Sequence, residues 1–255
     1  MAKKGKPRSE FWRSAKHAVK TASPKSTTGK LIVIDGADGS GKATQVELLH
    51  KRLKKEGHIV KIIDFPEYYK NFFGKFIGHC LSEQYYNWLN IHPKIASMAY
   101  AADRWESSAE VREWLKKGHI VLANRYVSAN QIHQGGKIAN NKKRADFIKW
   151  LDEMEYEVFK IPRPDITLYL DLPTKIVLKL LQHRNSSKMK RAYLKNKKDV
   201  HEMDINFLLN SRKSALKLVK EIKNFIKIDC TEKGIIKTRE NIHQEIYEKV
   251  KKIIK

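Results

Sequence analysis

The chain has 255 residues, 41% of them apolar, enough for one α/β domain of ordinary size with a full core. Its formal net charge of +24 points to polyanionic partners, nucleic acid or nucleotides, with lysine-rich solvated faces as the competing reading. Cys80 and Cys230 lie far apart with no metal-ligand spacing, and no apolar run approaches the length of a membrane span, which argues against a cysteine metal site and a spanning helix.

Residues 1–29 read as a basic, disordered tail. Lys3, Lys4, Lys6, Arg8, Arg13, Lys16, Lys20 and Lys25 face one acid, Glu10, among Ser, Thr and Pro. A helix capped by Ser9 would place Phe11, Ala15, Ala18 and Val19 on one face. Such a segment suits anionic lipid, RNA or an organellar address. A solvated tail on a cytoplasmic protein is the simpler expectation.

From residue 30 to 255 the pattern is that of one α/β domain. The runs "KLIVID" (30–35), "IVKIIDF" (59–65), "HIVLAN" (119–124), "ITLYLDL" (166–172) and "NFIKIDC" (224–230) are short, β-branched and almost continuously apolar. They suit five strands of a parallel sheet buried on both faces. Helical patterns alternate with them, as in "VELLHKRLKKEG", where Gly57 is placed as a C-terminal stop. Right-handed crossovers then give a doubly wound sheet with helices on both faces, in three layers, with no internal repeat.

Between the first strand and the first helix stands "GADGSGKATQ". Gly36, Gly41 and Lys42 match G-x-x-x-x-G-K in the strand–helix setting the motif requires. Gly36, Ala37, Asp38, Gly39, Ser40, Gly41, Lys42, Ala43 and Thr44 are therefore the expected ATP-binding residues. Glycines let backbone N–H groups turn inward around phosphate oxygens, the helix N-terminus adds positive potential, and Lys42 reaches the β/γ-phosphates. Ala43 occupies the place of the usual Mg²⁺-binding hydroxyl, and Thr44 lies about 100° further round the helix. Metal would then be held through water, substrate oxygens or another carboxylate.

Four further segments accompany this loop: "DFPEY" (64–68), "YAADRWE" (100–106), "NRYVSANQIHQGG" (124–136) and a basic stretch near 184–198. Together, in this order and spacing, they resemble the thymidylate kinase family over about residues 30 to 250. The resemblance implies a P-loop kinase fold that transfers the ATP γ-phosphoryl to dTMP, with Mg²⁺, usually as a homodimer. It implies that Arg125 grips the acceptor phosphate, Arg104 bonds a thymine carbonyl, Tyr100 stacks on the base and Asn130 pairs with it. Phe65 and Tyr68 fall in the segment lining the acceptor pocket, with Pro66 stiffening it; Tyr68 is the better contact candidate, with a plain core role the alternative for Phe65. Asp103 orients a neighbour, and Gly135 and Gly136 make a turn. The stretch 184–198 corresponds to a mobile lid over ATP. Because the loop positions Ala37, Asp38, Gly39 and Ser40 include no arginine, the catalytic arginine is expected in the lid, as Arg184 or Arg191, against the alternative of a solvated charge run.

Three positions depart from the family pattern. Ala43 is one. Asn124 replaces the usual Asp before the arginine, keeping an oxygen ligand but losing its charge. His133 replaces a tyrosine near the sugar. Asp38 matches a family acid near the acceptor sugar and metal, so Asp38 and Asn124 are the metal candidates, directly or through water, and Asp38 and His133 join the substrate candidates. Two other readings stay open: another nucleotide or nucleoside kinase on this scaffold, and a non-catalytic P-loop protein that binds nucleotide or RNA.

Overall fold

The computed structural model describes residues 29–82, 88–186 and 205–254, with side chains from 182 to 186 excepted. Five strands, β1 (Lys30–Gly36), β2 (Val60–Asp64), β3 (Ile120–Asn124), β4 (Ile166–Asp171) and β5 (Phe225–Asp229), form one all-parallel sheet in the order β2-β3-β1-β4-β5. Each falls on one of the five apolar runs. Adjacent side chains of a strand point to opposite faces, so the continuous run of β1 serves two cores. Ile32 and Ile34 pack with Val46, Leu49 and Leu53 of α1 (Lys42–Lys55) and with Ile242, Ile246 and Val250 of the last helix. Leu31 and Val33 pack on the other face with Val111 and Leu115 of α3 (Pro93–Lys116).

The remaining α-helices are α2 (Phe72–Leu81), α4 (Val127–Ala129), α5 (Asn141–Asp152), α6 (Thr174–Ser186), α7 (Ile205–Glu221) and α8 (Arg239–Lys251), with a short 3-10 turn at Trp88–Asn90. Helix starts follow local chemistry. Asn71, Asn140 and Thr238 each accept a backbone N–H of the first turn of α2, α5 and α8 through their side chains. Gly57 adopts φ 89° just past α1, as expected of a glycine stop.

Three features differ from the sequence expectation. A small hairpin, β6 (Thr231–Glu232) with β7 (Ile235–Ile236), follows β5. Two π-helical turns, Asn130–Gln134 after α4 and Glu153–Val158 after α5, are wider than the helices read from periodicity. Gly135 and Gly136 continue the first of these as helix rather than forming a turn. A Cβ on Gly136 would lie 3.0 Å from the backbone of Asn210 and Ser211, so glycine here permits close packing against α7. The expected tail and most of the lid, including Arg191, lie outside the described residues.

The strand order places β1 between β3 and β4, while the chain leaves β1 toward β2 and leaves β3 toward β4. The crevice at the carboxyl ends of β1 and β3 is therefore the switch point where ligands bind in open α/β sheets. Ile34 pairs with Asn124 there, so the phosphate loop and the Asn124–Arg125 segment emerge side by side.

Candidate active site

A cleft of about 740 Å³ opens at this crevice. Its lining includes loop residues Asp38, Gly39, Gly41, Lys42, Ala43 and Thr44, then Phe65 and Tyr68, Tyr100 and Arg104, Asn124 and Arg125, and Asn130 and His133. Segments up to 170 positions apart in sequence, from Asp38 to Leu208, thus reach one cavity. Gly36, Ala37 and Ser40 complete the loop. Arg184 lies near the end of α6, where its side chain is not described, so neither lid arginine can be placed in the cleft.

The phosphate loop is held from beneath. The buried Asp35 carboxylate accepts the Gly36 N–H at 2.8 Å and the Ser128 hydroxyl at 2.6 Å. Lys42 folds back over the loop, donating to the carbonyls of Gly36 at 3.0 Å and Ala37 at 2.9 Å, 3.7 Å from Asp38. Gly41 caps α1 with φ 88°, a left-handed conformation that a side chain would strain. The ammonium and the first N–H groups of α1 form an anion-binding concavity.

Arg125 is a non-glycine residue at φ 66°. Its backbone N–H still bonds Ile34 O at 3.0 Å, so the unusual dihedral lies just past the sheet ladder and redirects the side chain. The guanidinium donates to Asp38 Oδ1 at 2.6 Å, approaches Asp35 at 4.0 Å and meets His133 Nε2 at 3.0 Å. His133 Nδ1 lies 3.1 Å from Ser211 Oγ, and its ring stacks on Phe207 of α7. Asn124 Oδ1 is buried without a hydrogen-bond partner among the described residues.

At the other end of the cleft α3 presents Tyr100 and Arg104 on one face, as their i, i+4 spacing requires. The Tyr100 hydroxyl accepts Trp88 Nε1–H at 3.1 Å, which fixes the ring. Arg104 is almost wholly buried and forms two 2.6 Å hydrogen bonds with Glu155, from Nε and Nη2. Burial opposes its charge, and the Glu155 carboxylate more than offsets that, leaving the guanidinium protonated. Asn130 Nδ2 donates to Ser97 O and to Glu155 Oε1, both at 3.2 Å.

Phe65 is both core and cleft wall: it is buried, in tilted contact with Tyr126, and joined to Pro66 by a cis peptide bond. Asp103 accepts the Glu67 N–H at 3.2 Å, anchoring the "DFPEY" segment to α3, and burial pushes its carboxyl up to about 6. Glu155, Asp35, Ser128, Phe207 and Ser211 were not singled out in the sequence. Asp35 was hidden inside an apolar strand run, and Glu155 within a helix dense in acids.

A doubly wound five-stranded sheet whose first strand turns through a glycine-rich loop into a helix defines a P-loop nucleotide kinase fold. The sequence pattern of the thymidylate kinase family matches residues 34–246, and the chain belongs to that family. The thymidylate kinase of Thermosipho africanus is 32% identical over 222 residues, covering 87% of this chain and 97% of that protein. The thymidylate kinase of Halothermothrix orenii is 31% identical over 225 residues, covering 88% and 97%. Among solved structures, the Candida albicans thymidylate kinase superposes with a TM-score of 0.64 over 88% of this chain and 92% of that one, at 23% identity, which supports the fold.

Proposed function

We propose that this protein transfers the γ-phosphoryl group of ATP to dTMP, giving dTDP and ADP. One observation carries the reading: a single cleft is lined by the phosphate loop, by Arg125, and by Arg104 and Asn130 together with the Tyr100 ring. That set supports sites for the donor phosphates, the acceptor phosphate and the base of the reaction.

In this reading the loop N–H groups and Lys42 hold the donor phosphates, and Arg125 clamps the acceptor phosphate with its planar fork. The acceptor is already anionic, so no strong general base is required. The residues align two phosphate groups and neutralise their repulsion. Arg184 and Arg191 of the lid stretch would add positive charge around the transferring group, since the loop carries no arginine. Tyr100 stacks on the base, while Phe65 and Tyr68 wall the pocket.

Mg²⁺ is the cofactor the family implies. Among the described residues no group of three or more His, Cys, Asp or Glu side chains could hold a metal. Asn124 Oδ1, without a partner among the described residues, and the Asp38 carboxylate lining the same cleft fit an ion bound mainly through phosphate oxygens and water. When bound, it would neutralise phosphate charge.

A homodimer accompanies this reading. Ile95, Met98 and Trp105 lie along one exposed stripe of α3 and are 60%, 54% and 51% exposed, with Val158 at 66%; Trp105 reaches Phe159, the next residue. No helix among the described residues is long and apolar enough to cross a membrane.

A coupled ADP-release assay with ATP and Mg²⁺ across dTMP, dUMP, UMP and dCMP tests the proposal. The expected result is the highest kcat/KM for dTMP. Bound ATP with no turnover of any acceptor would instead indicate a non-catalytic P-loop protein.

A further inference from the structure

Glu155 accepts hydrogen bonds from both residues proposed to read the base, and it is wholly buried. It lies in the π-helical turn Glu153–Val158, and Asn130 lies in the π-helical turn Asn130–Gln134. Such wider turns often mark functional sites. Glu155 Oε2 receives Arg104 Nε–H, while Oε1 receives Arg104 Nη2–H and Asn130 Nδ2–H.

The consequence for Asn130 follows from donor and acceptor counting. A side-chain amide has two N–H donors on nitrogen and one acceptor oxygen. The two partners of Asn130 Nδ2 are the Ser97 backbone carbonyl and the Glu155 carboxylate, and both only accept. The amide therefore has one permitted orientation, with both hydrogens turned into the protein. Its Oδ1 is left to face the cleft that the residue lines. Arg104, with Nε and Nη2 committed to Glu155, turns Nη1 to the same cleft as a donor. The floor thus offers one acceptor beside one donor.

We infer that Glu155 is the positioning residue that sets this polarity and so selects an imide edge, thymine or uracil, over cytosine. A thymine or uracil ring offers N3–H next to the O4 acceptor. A cytosine ring offers an N3 acceptor next to an N4 amine donor, the inverse pattern. With Glu155 in place, cytosine would set donor against donor at Arg104 and acceptor against acceptor at Asn130. Unpaired polar groups in a buried site discriminate far more strongly than shape does. The pairing of Glu155 with Arg104 also leaves the floor without net charge, as suits a neutral base. This inference rests on the placement of the base between Tyr100, Arg104 and Asn130 proposed above.

The test uses the full chain and reads binding separately from turnover. Calorimetry gives Kd for dTMP and dCMP on wild type and on Glu155→Gln, with thermal melting reporting the fold. A glutamine at 155 supplies its own donor, so Asn130 is no longer confined to one orientation. The expected result is a wild-type preference for dTMP that falls at least tenfold in Glu155→Gln, with ATP affinity within about threefold. An unchanged dTMP:dCMP ratio in a folded variant, or equal wild-type binding of both, would overturn the inference. If the variant does not fold, the wild type itself decides. The Asn130 side-chain N–H resonances should be protected from exchange without ligand and keep that protection when dTMP binds. Free exchange in the unliganded protein would overturn it. A wild type that binds dTMP selectively yet turns nothing over refutes the kinase reading and leaves this inference standing.

Discussion

Arg125 Nη2 donates to Asp38 Oδ1 at 2.6 Å, linking the end of β3 to the phosphate loop across the mouth of the cleft. The pair is mostly buried, with side chains 16% and 20% exposed, and Asp38 also lies 3.7 Å from Lys42. One carboxylate thus spaces two cations that phosphate chemistry would bring to adjacent phosphates. Removing its charge frees Arg125 and lets the two cations repel. Asp38→Asn should raise KM for dTMP about tenfold or more while the melting temperature stays within a few degrees. Steady-state kinetics beside a melting curve checks this; an unchanged KM would remove Asp38 from the placement of Arg125.

Arg125→Ala removes the proposed phosphate clamp itself. Its left-handed backbone already disfavours any side chain, so alanine relieves no strain that could mask the loss. The expected outcome is a fall in kcat/KM for dTMP of about 10³, with ATP binding changed by no more than a few-fold. Equal losses in ATP and dTMP affinity would place the residue elsewhere.

Asn124→Asp probes the residue before Arg125, whose Oδ1 is buried without a partner among the described residues. A carboxylate is a harder, charged ligand that Mg²⁺ prefers over an amide, directly or through bound water. The Mg²⁺ concentration giving half-maximal dTMP phosphorylation should fall several-fold. The rate need not rise, because the new charge also pairs with Arg125. A Mg²⁺ profile identical to wild type would place Asn124 away from the metal.

Asp103 carries a pH signature. Burial pushes its carboxyl up to about 6 from an ordinary 3.8, so the folded state binds its proton more tightly than the unfolded chain does. The contribution is therefore most favourable below about pH 4 and is lost as pH rises through 6. Asp103→Asn keeps an acceptor for the Glu67 N–H and removes the ionisation. Urea denaturation should show the variant gaining on wild type by on the order of 2–3 kcal/mol between pH 4 and pH 7. A constant difference across that range would mean that Asp103 titrates normally.

The sheet was readable because the central strands β1, β3 and β4, buried on both faces, leave continuous apolar runs; all five runs became strands, but the edge strands β2 and β5 are only partly buried, since each has a neighbour on one side alone. The phosphate loop was readable because its backbone geometry demands glycines at fixed spacing. The hairpin at 231–236 was not, since two-residue strands leave no periodicity. Gly135 and Gly136 misled for a physical reason: glycine pairs favour turns, but here their missing side chains admit α7. Arg104 and Asn130 could be picked out by motif, whereas Glu155 lies 51 positions from Arg104 and no local pattern encodes that pairing. His133 was read as facing the sugar; its bonds to Arg125 and Ser211 emerge only when α7 packs against the π-helical turn.

Phosphoryl transfer itself is tested most directly by following label from γ-³²P-ATP, with Mg²⁺ and dTMP, in wild type and Arg125→Ala side by side. Label should accumulate in dTDP with wild type and fall about 10³-fold in the variant, while both proteins still bind ATP. Label appearing only as inorganic phosphate, or remaining in ATP bound to a folded wild-type protein, would contradict the assignment of this cleft as a dTMP kinase site.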